Sequence, residues 1–598
     1  MRLIASLKRE LTTAQLVLST VRWTGPAARE DGTTVPDDLE ASIDRHARRP
    51  AFQTEAGPFS FAEFDRMANR YAHWALAQGL EAGDRVALFM GNRPDYVAVW
   101  FGLSKVGVIT ALINTHLSGE SLAHCIRVSE ARHVIFGEEQ AESLRATLPM
   151  LESGYAFWNA DGRGERWARD LGRACEGLAD TRPDPARRVE VGAGDTCLLI
   201  YTSGTTGLPK AAKMSHMRLR HLMRSFIGVC QVTPRDRILI TLPLYHGTGG
   251  ICAVGCALLS GASAIIRPKF SVRRFWQEAV DYRATVFVYV GELCRYLLNQ
   301  PPSALDTAHS IRTAFGNGLR QDVWQAFSER FGISRIKEGY GSTEGNVALI
   351  NFDGKVGAVG RIPPWLAHKF ENVRVVAFDP ETETVKRGSD GRCIEVAHGE
   401  IGEMIGRIGD IARMRYDGYS VRSATEKKVL RDVFAPGDAW FRTGDLMRRD
   451  AEGYVYFVDR VGDTFRWKGD NVSTGEVAGV LGQYPGIGLA NVYGVEVPGH
   501  EGRAGMAAIT AQGALDLDGL AGFLDAQLPA YAQPLFLRLQ AEPDTTGTMK
   551  FQKQRLQAES FDPDRTDDPL WFRHPDRRAY VPLTPDLHAT ILAGGFRL

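Results

Sequence analysis

From about Asp84 onward, apolar residues come in short runs that end in glycine or a polar turn. RVALFMGN, RHVIFG, TCLLIYTSG, RILITLPLYHG, ATVFVYVGE and IRTAFGNG each read as a buried strand leading into such a turn. Between them, SVRRFWQEAVDYR and QDVWQAFSERFG carry apolar residues at helical spacing. This alternation predicts an α/β fold whose large N-terminal domain has mostly parallel sheets flanked by helices. Ligands of such sheets bind beyond the carboxyl ends of the strands, where the glycine-rich turns lie.

After about Val461 the pattern changes. GDTFRWKGDNVST leads into a shorter α/β stretch with VYGVEVPG and FLRLQ as strands. A small, mobile C-terminal α/β domain is expected there, with its boundary near Arg460 to Gly462. The tail from Phe561, rich in Asp, Arg and Pro, is expected to wrap the surface.

The first residues differ again. Leu3, Ile4, Leu7, Leu11, Ala14, Leu18 and Val21 fall on one helical stripe flanked by basic residues. Arg2, Lys8, Arg9 and Glu10 interrupt it, and it is shorter than the roughly 20 apolar residues of a membrane span. Two readings stay open: a helix docked on its own domain, or residues 1–23 lying on an anionic bilayer surface. The expected organisation is therefore 1–40 as helix and linker, 41–461 as the large domain and 462–598 as the small one.

Composition narrows the function classes. A chain of 598 residues is too long for one core, and 44% hydrophobic with 24% charged residues is that of a soluble globular protein. Formal net charge is zero, so no global field recruits nucleic acid. The eight cysteines are scattered with no C-x-x-C spacing, which argues for buried reduced thiols in a cytoplasmic protein rather than zinc ligands. A small ligand held by local groups is expected, in the cytoplasm or peripherally on the cytoplasmic membrane face; oligomeric state is not readable.

The candidate chemistry begins with YTSGTTGLPKAAK, Tyr201 to Lys213, behind the run TCLLIY. It is not a Walker loop, because Lys210 stands beyond Pro209 instead of directly after Gly207. The physics of anion binding still applies. Gly204 and Gly207 let backbone N–H groups turn toward an anion, Thr202, Ser203, Thr205 and Thr206 add hydroxyls, and Lys210 adds charge. A solvated turn is the alternative. In KEGYGSTEGN, Lys337 to Asn346, the carboxylate of Glu344 between Thr343 and Gly345 suits magnesium riding on phosphates. A lone solvated charge is the alternative there.

Together S-G-T-T-G-x-P-K and Y-G-x-T-E resemble the signatures of the adenylate-forming superfamily of acyl-CoA synthetases, adenylation domains and luciferases. RTGDL (Arg442 to Leu446), DRVGDTFRWKGDNVST (Asp459 to Thr474) and TGTMKFQK (Thr546 to Lys553) match the later signatures. FRWKGDNVST, VYGVEVPGHEGRAGMAA, YGSTEGN and the closing YVPLTPDLH resemble the fatty acid transport protein, or very-long-chain acyl-CoA synthetase, branch.

The resemblance implies two steps that use ATP, Mg²⁺ and coenzyme A: a fatty carboxylate attacks the α-phosphorus, and the CoA thiol then displaces AMP. Two unit charges at 4 Å repel by about 4 kcal/mol at an effective dielectric near 20, so fixed cations and the metal must offset the first encounter. It implies Lys550 as the bridging cation, with Lys553 a nearby rival because Met549 stands where the motif has glycine. Asp445 is expected on the ribose hydroxyls, Arg460 on ribose or phosphate, and Tyr340 against adenine with Gly316, Asn317 and Gly318 at its edge. Thr343 is placed at the α-phosphate, Glu344 at the metal, and His246 with Gly341 beside the acyl group. Gly462 is the expected hinge, bringing the backbone of Trp467, Gly469 and Asn471 toward CoA. The implied activity is ligation of a long- or very-long-chain fatty acid to CoA. Alternatives are a bulky acid such as a bile-acid-like steroid, a carrier-protein thiol as acceptor, or fatty acid uptake by vectorial acylation.

Overall fold

Val86 to Phe89, Leu198 to Ile200 and Val286 to Tyr289 are buried along their whole length, as strands covered on both faces must be. They belong to a computed structural model that describes all residues except 1, 29–31, 163–165, 203–207, 380–381, 412–413, 468–469, 501, 546–550 and 597. The chain forms two compact units. The first comprises 1–318, 327–355 and 407–429; the second comprises 319–326, 356–406 and 430–598.

The first unit holds two sheets. Its strands are β1 (Pro50–Thr54), β2 (Gly57–Ser60), β3 (Arg85–Phe89), β4 (Ile109–Leu112), β5 (His133–Phe136), β6 (Ala156–Asn159), β7 (Arg169–Asp170) and β8 (Thr196–Thr202). They continue with β9 (Lys210–Ser215), β10 (Arg237–Ile240), β11 (Ser263–Ile266), β12 (Val286–Val290), β13 (Thr313–Asn317), β14 (Arg335–Gly341) and β15 (Ala348–Asn351). One sheet runs β7-β6-β5-β3-β4-β8-β9 and the other β15-β14-β13-β12-β10-β11-β1-β2. Only the edge strands β9, β15 and β2 pair antiparallel. The predicted strands and the helices Phe275–Asp281 and Gln321–Phe331 all form. Strand order reverses at β10, which pairs with β11 on one side and β12 on the other. A crevice for ligand is expected beyond such a strand, and β10 leads directly to His246.

The second unit holds a mainly antiparallel sheet ordered Gly360–Arg361, Tyr454–Arg460, Ala439–Arg449, Ile401–Arg407, Val373–Val376. It also holds a five-stranded sheet ordered Ile487–Glu496, Arg503–Ala511, Phe536–Gln540, Leu570–His574, Ala579–Pro582. The last two strands correct the expectation that the tail wraps the surface. Phe561, Leu570, Phe572, Tyr580 and Leu583 are buried in this sheet's core, and Phe561 stacks on Phe536 at 4.1 Å. Scattered Asp, Arg and Pro residues in the tail mask an alternating apolar pattern.

The N-terminal helix Arg2–Thr24 forms, but Leu7, Leu11, Leu18 and Val21 of its apolar stripe do not face the domain. Its buried residues, among the described side chains, are Thr13, Leu16 and Thr24, and a Cβ on Gly228 would lie 2.6 Å from the Thr20 backbone. That close approach requires glycine in helix His216–Cys230. Leu7, Leu11, Leu18 and Val21 are left 58–69% exposed. Among the described residues, no helix is long and apolar enough to cross a membrane.

Candidate active site

The strands on either side of the hydroxyl-rich stretch, β8 and β9, pair antiparallel. Thr202 at the end of β8 faces Lys210 at the start of β9 across the ladder. Ser203, Gly204, Thr205, Thr206 and Gly207 lie outside the described residues, as do Gly469 and Lys550. Beyond β9 the segment around Tyr419 adds to the same edge. Ala212 bridges Tyr419, the Lys213 N–H donates to Gly418 and the Ser420 N–H to Ala211, both at 2.9 Å. The 7%-exposed carboxylate of Asp417 anchors that segment by accepting from the Ser215 hydroxyl at 2.7 Å and from Arg415 at 2.6 Å.

Thr343 and Glu344 follow β14 in a turn that folds on itself, its Gly345 N–H donating to the Ser342 hydroxyl at 3.0 Å. Arg218, one turn into helix His216–Cys230, donates to the carbonyls of Ser342 at 3.1 Å, Thr343 at 2.7 Å and also Gly345. Burial lowers the Arg218 pKa, and the carboxylates of Asp417 and Glu344 oppose the shift. Glu344 Oε1 accepts from the Tyr419 phenol at 3.0 Å. The Thr202 side chain stands near enough to the Tyr419 phenol to act on it, and Lys210 Nζ lies 5.9 Å from its ring centre. One aromatic side chain thus joins three residues that the sequence singled out separately.

His246 is half-buried, with its ring 4.5 Å from that of Tyr245. It precedes a π-helical turn, Gly247–Ala253, a distortion often found at functional sites. A Cβ on Gly247 would lie 4.0 Å from Thr343 Oγ1, which puts the His246–Gly247 turn beside the Thr343 hydroxyl. Tyr340 is half-buried in β14 opposite Leu349, and Gly341 is exposed at the strand end. Gly316 has a packing reason of its own, since a Cβ there would fall 2.0 Å from the Tyr289 carbonyl oxygen. Asn317 Oδ1, at the end of β13, is buried with no hydrogen-bond partner among the described residues. It is an acceptor of the kind an exocyclic amine would satisfy. Gly318 follows with φ +78.

In the second unit the motif residues support one another. Asp445 and Arg460 are register partners on adjacent strands, with Arg460 Nε 3.6 Å from the carboxylate. Arg442 donates to the fully buried Glu403 at 2.6 and 3.0 Å and so fixes the strand that carries Asp445. Gly462 has φ +88, a conformation that favours glycine. Asp459, just before it, accepts from the Thr474 N–H at 2.6 Å and the Thr474 hydroxyl at 3.1 Å. Burial raises the Asp459 pKa, and Lys553 opposes that shift. Lys553 is engaged structurally: its ammonium contacts Asp463 at 3.1 Å and the Thr474 hydroxyl at 2.9 Å. Trp467 is 4% exposed within the core, so its backbone, not its ring, is what it could present to a ligand. Asn471 lies in strand Asp470–Val472.

Sequence reasoning missed Tyr419 and Arg218. Tyr419 belongs to no motif quoted from the sequence, and Arg218 is one of several basic residues on its helix. Only their long-range contacts reveal them.

The group as a whole, with hydroxyls, one ammonium and one carboxylate around Tyr419, suits a metal–triphosphate. Among the described residues no three His, Cys, Asp or Glu side chains could cage a metal. A single carboxylate nevertheless fits Mg²⁺, which takes one or two carboxylates and completes its shell with phosphates and water.

A family described as AMP-binding enzyme matches residues 39–404. The chain is 40% identical over 576 residues to long-chain fatty acid transport protein 6 of Mus musculus, covering 95% of this chain and 92% of that protein. It is 41% identical over 588 residues to long-chain fatty acid transport protein 1 of Rattus norvegicus, covering 97% and 91%. Among solved structures, ATP-bound MatB from Rhodopseudomonas palustris superposes with a TM-score of 0.73 at 26% identity, over 88% of this chain and 99% of that one.

Proposed function

The chain belongs to the AMP-binding enzyme family, and from that premise we propose that it joins a long- or very-long-chain fatty acid to coenzyme A through an acyl-adenylate. The observation that carries the nucleotide half is the convergence of Thr202, Lys210, Glu344 and Tyr419, with the Thr343 hydroxyl beside the His246–Gly247 turn. The acyl half rests on the near-full-length similarity to proteins named long-chain fatty acid transport proteins.

In the first step a carboxylate oxygen bonds the α-phosphorus while the bond to the β-phosphate breaks and pyrophosphate leaves. Lys550 neutralises the approaching anions, the Thr343 hydroxyl donates to the α-phosphate, and the loop 203–207 holds the leaving group. Mg²⁺ would be held by Glu344 and would supply charge neutralisation on the phosphates. Tyr340 and the buried Asn317 acceptor receive adenine, and the Asp445 carboxylate accepts from the ribose hydroxyls with Arg460 beside it. In the second step the CoA sulfur bonds the acyl carbon and the carbon–oxygen bond to AMP breaks. Rotation about Gly462 removes Lys550 and brings in the backbone near Trp467 and Asn471. Rotation there must break the Asp459–Thr474 hydrogen bonds, which span that glycine.

The test is AMP release from a panel of medium- to very-long-chain acids and steroid acids, with and without CoA. Long acids should lead, and thioester should require CoA. Preference for a steroid acid would redirect the substrate, and no acid-dependent exchange of pyrophosphate into ATP would end the proposal.

The exposed Leu7, Leu11, Leu18 and Val21 support a second element, peripheral contact of the N-terminal helix with an anionic bilayer. The double variant Leu11→Asp and Leu18→Asp should abolish liposome binding; undiminished binding would dismiss this role.

A further inference from the structure

We propose that Tyr419 is a positioning residue for the first step, holding the Glu344 carboxylate in the orientation that receives the metal–triphosphate. This rests on the adenylation reading above.

Tyr419 has little freedom of its own. It is 6% exposed, bridged to Ala212, and its N–H donates to Thr425 Oγ1 at 2.9 Å. Gly418 enters the turn at φ +72, where a Cβ would strike Thr425 at 2.7 Å. The phenol therefore reaches a defined point. There it donates to Glu344 Oε1 at 3.0 Å. Oε1 is thereby committed and the carboxylate plane is set, with Arg218 fixing the backbone beneath it. Residues that hydrogen-bond a ligating carboxylate typically change metal affinity by about 10–100-fold.

Tyr419 also packs with Ala212 and Ala424, so it could be only a filler. Tyr419→Phe keeps the ring and removes one oxygen, which separates the two roles. The full-length chain is titrated with Mn²⁺ in the presence of a non-hydrolysable ATP analogue, and bound metal is read by electron paramagnetic resonance. Tyr419→Phe should weaken Mn²⁺ about tenfold with an unchanged melting temperature. In a Glu344→Gln background the same change should cost less than about twofold, because a residue acting through Glu344 has nothing left to orient.

Mn²⁺ affinity within about twofold of wild type, or an equal loss in both backgrounds, would overturn the proposal while leaving the adenylation reading intact. A melting temperature that falls in step with metal affinity would assign Tyr419 to packing and overturn it as well. Wild-type protein that neither binds Mn²⁺ with the analogue nor exchanges pyrophosphate would remove both readings together.

Discussion

In the first unit the motif residues are held by side chains far away in sequence; in the second they are held by each other. Glu344 depends on Tyr419, 75 positions away, and the Ser342–Gly345 carbonyls depend on Arg218, more than 120 positions away. By contrast Asp445 meets Arg460 on the next strand, and Asp459 and Thr474 close on one another within a single motif. Lys553 joins that cluster from the neighbouring signature. The contrast follows from sheet type. Parallel sheets bring together strand ends separated by whole crossovers, whereas antiparallel neighbours pair residues a short turn apart.

The contrast can be broken most sharply at the two lysines. Lys550→Ala should reduce pyrophosphate exchange by about 100-fold or more, while Lys553→Ala should chiefly lower the melting temperature. The reverse result would make Lys553 the adenylation cation and its contact with Asp463 a feature of one conformation.

Arg218→Ala should come next. It leaves three carbonyls of the Thr343–Glu344 turn without their donor, costing about 1–3 kcal/mol of stability and raising the KM for ATP. Stability and KM both at wild-type values would show that the turn holds itself.

Gly462→Ala places a side chain at φ +88, at a cost of about 1–2 kcal/mol to that conformation. Thioester synthesis should fall relative to pyrophosphate exchange, since only the second step needs this segment to swing. Equal loss in both would place the effect on folding instead.

The smallest effect is on acid stability. Burial lowers the pKa of His216 and His221 to about 4, below the roughly 6.5 of an unfolded histidine. Both are neutral in the folded chain above about pH 4, whereas the unfolded chain takes up protons below about 6.5. Their contribution is therefore complete above pH 6.5 and is lost as pH falls toward 4. His216 Nδ1 accepts from the Val35 N–H at 3.2 Å, a bond that an asparagine amide oxygen can take over. His216→Asn should flatten the decline in melting temperature between pH 6.5 and 4, and an unchanged slope would assign it to other groups.

Much of this was legible in the residue pattern. Apolar runs ending in glycine located β3, β5, β8, β10, β12 and β13 of the two sheets, because a strand buried on both faces has no room for polar residues. The signatures singled out Lys210 and Glu344, which the fold brings to one aromatic side chain, because hydroxyls, a lysine and a carboxylate in that order are what phosphate chemistry needs. Alternation in the last forty or so residues was hidden among charges, so the tail's two strands were missed. The stripe of the first helix was legible as one face, but whether it turned inward or outward was not, because a small residue, Gly228, set the docking side.

What the sequence determined alone was therefore local: element type, strand ends, and which residues are candidates for the chemistry. What tertiary structure alone decided was support: which distant phenol orients Glu344, which arginine pins its turn, and which lysine is already engaged. Periodicity is a property of neighbours along the chain, whereas orientation of a carboxylate is a property of neighbours in space, and only packing relates the two.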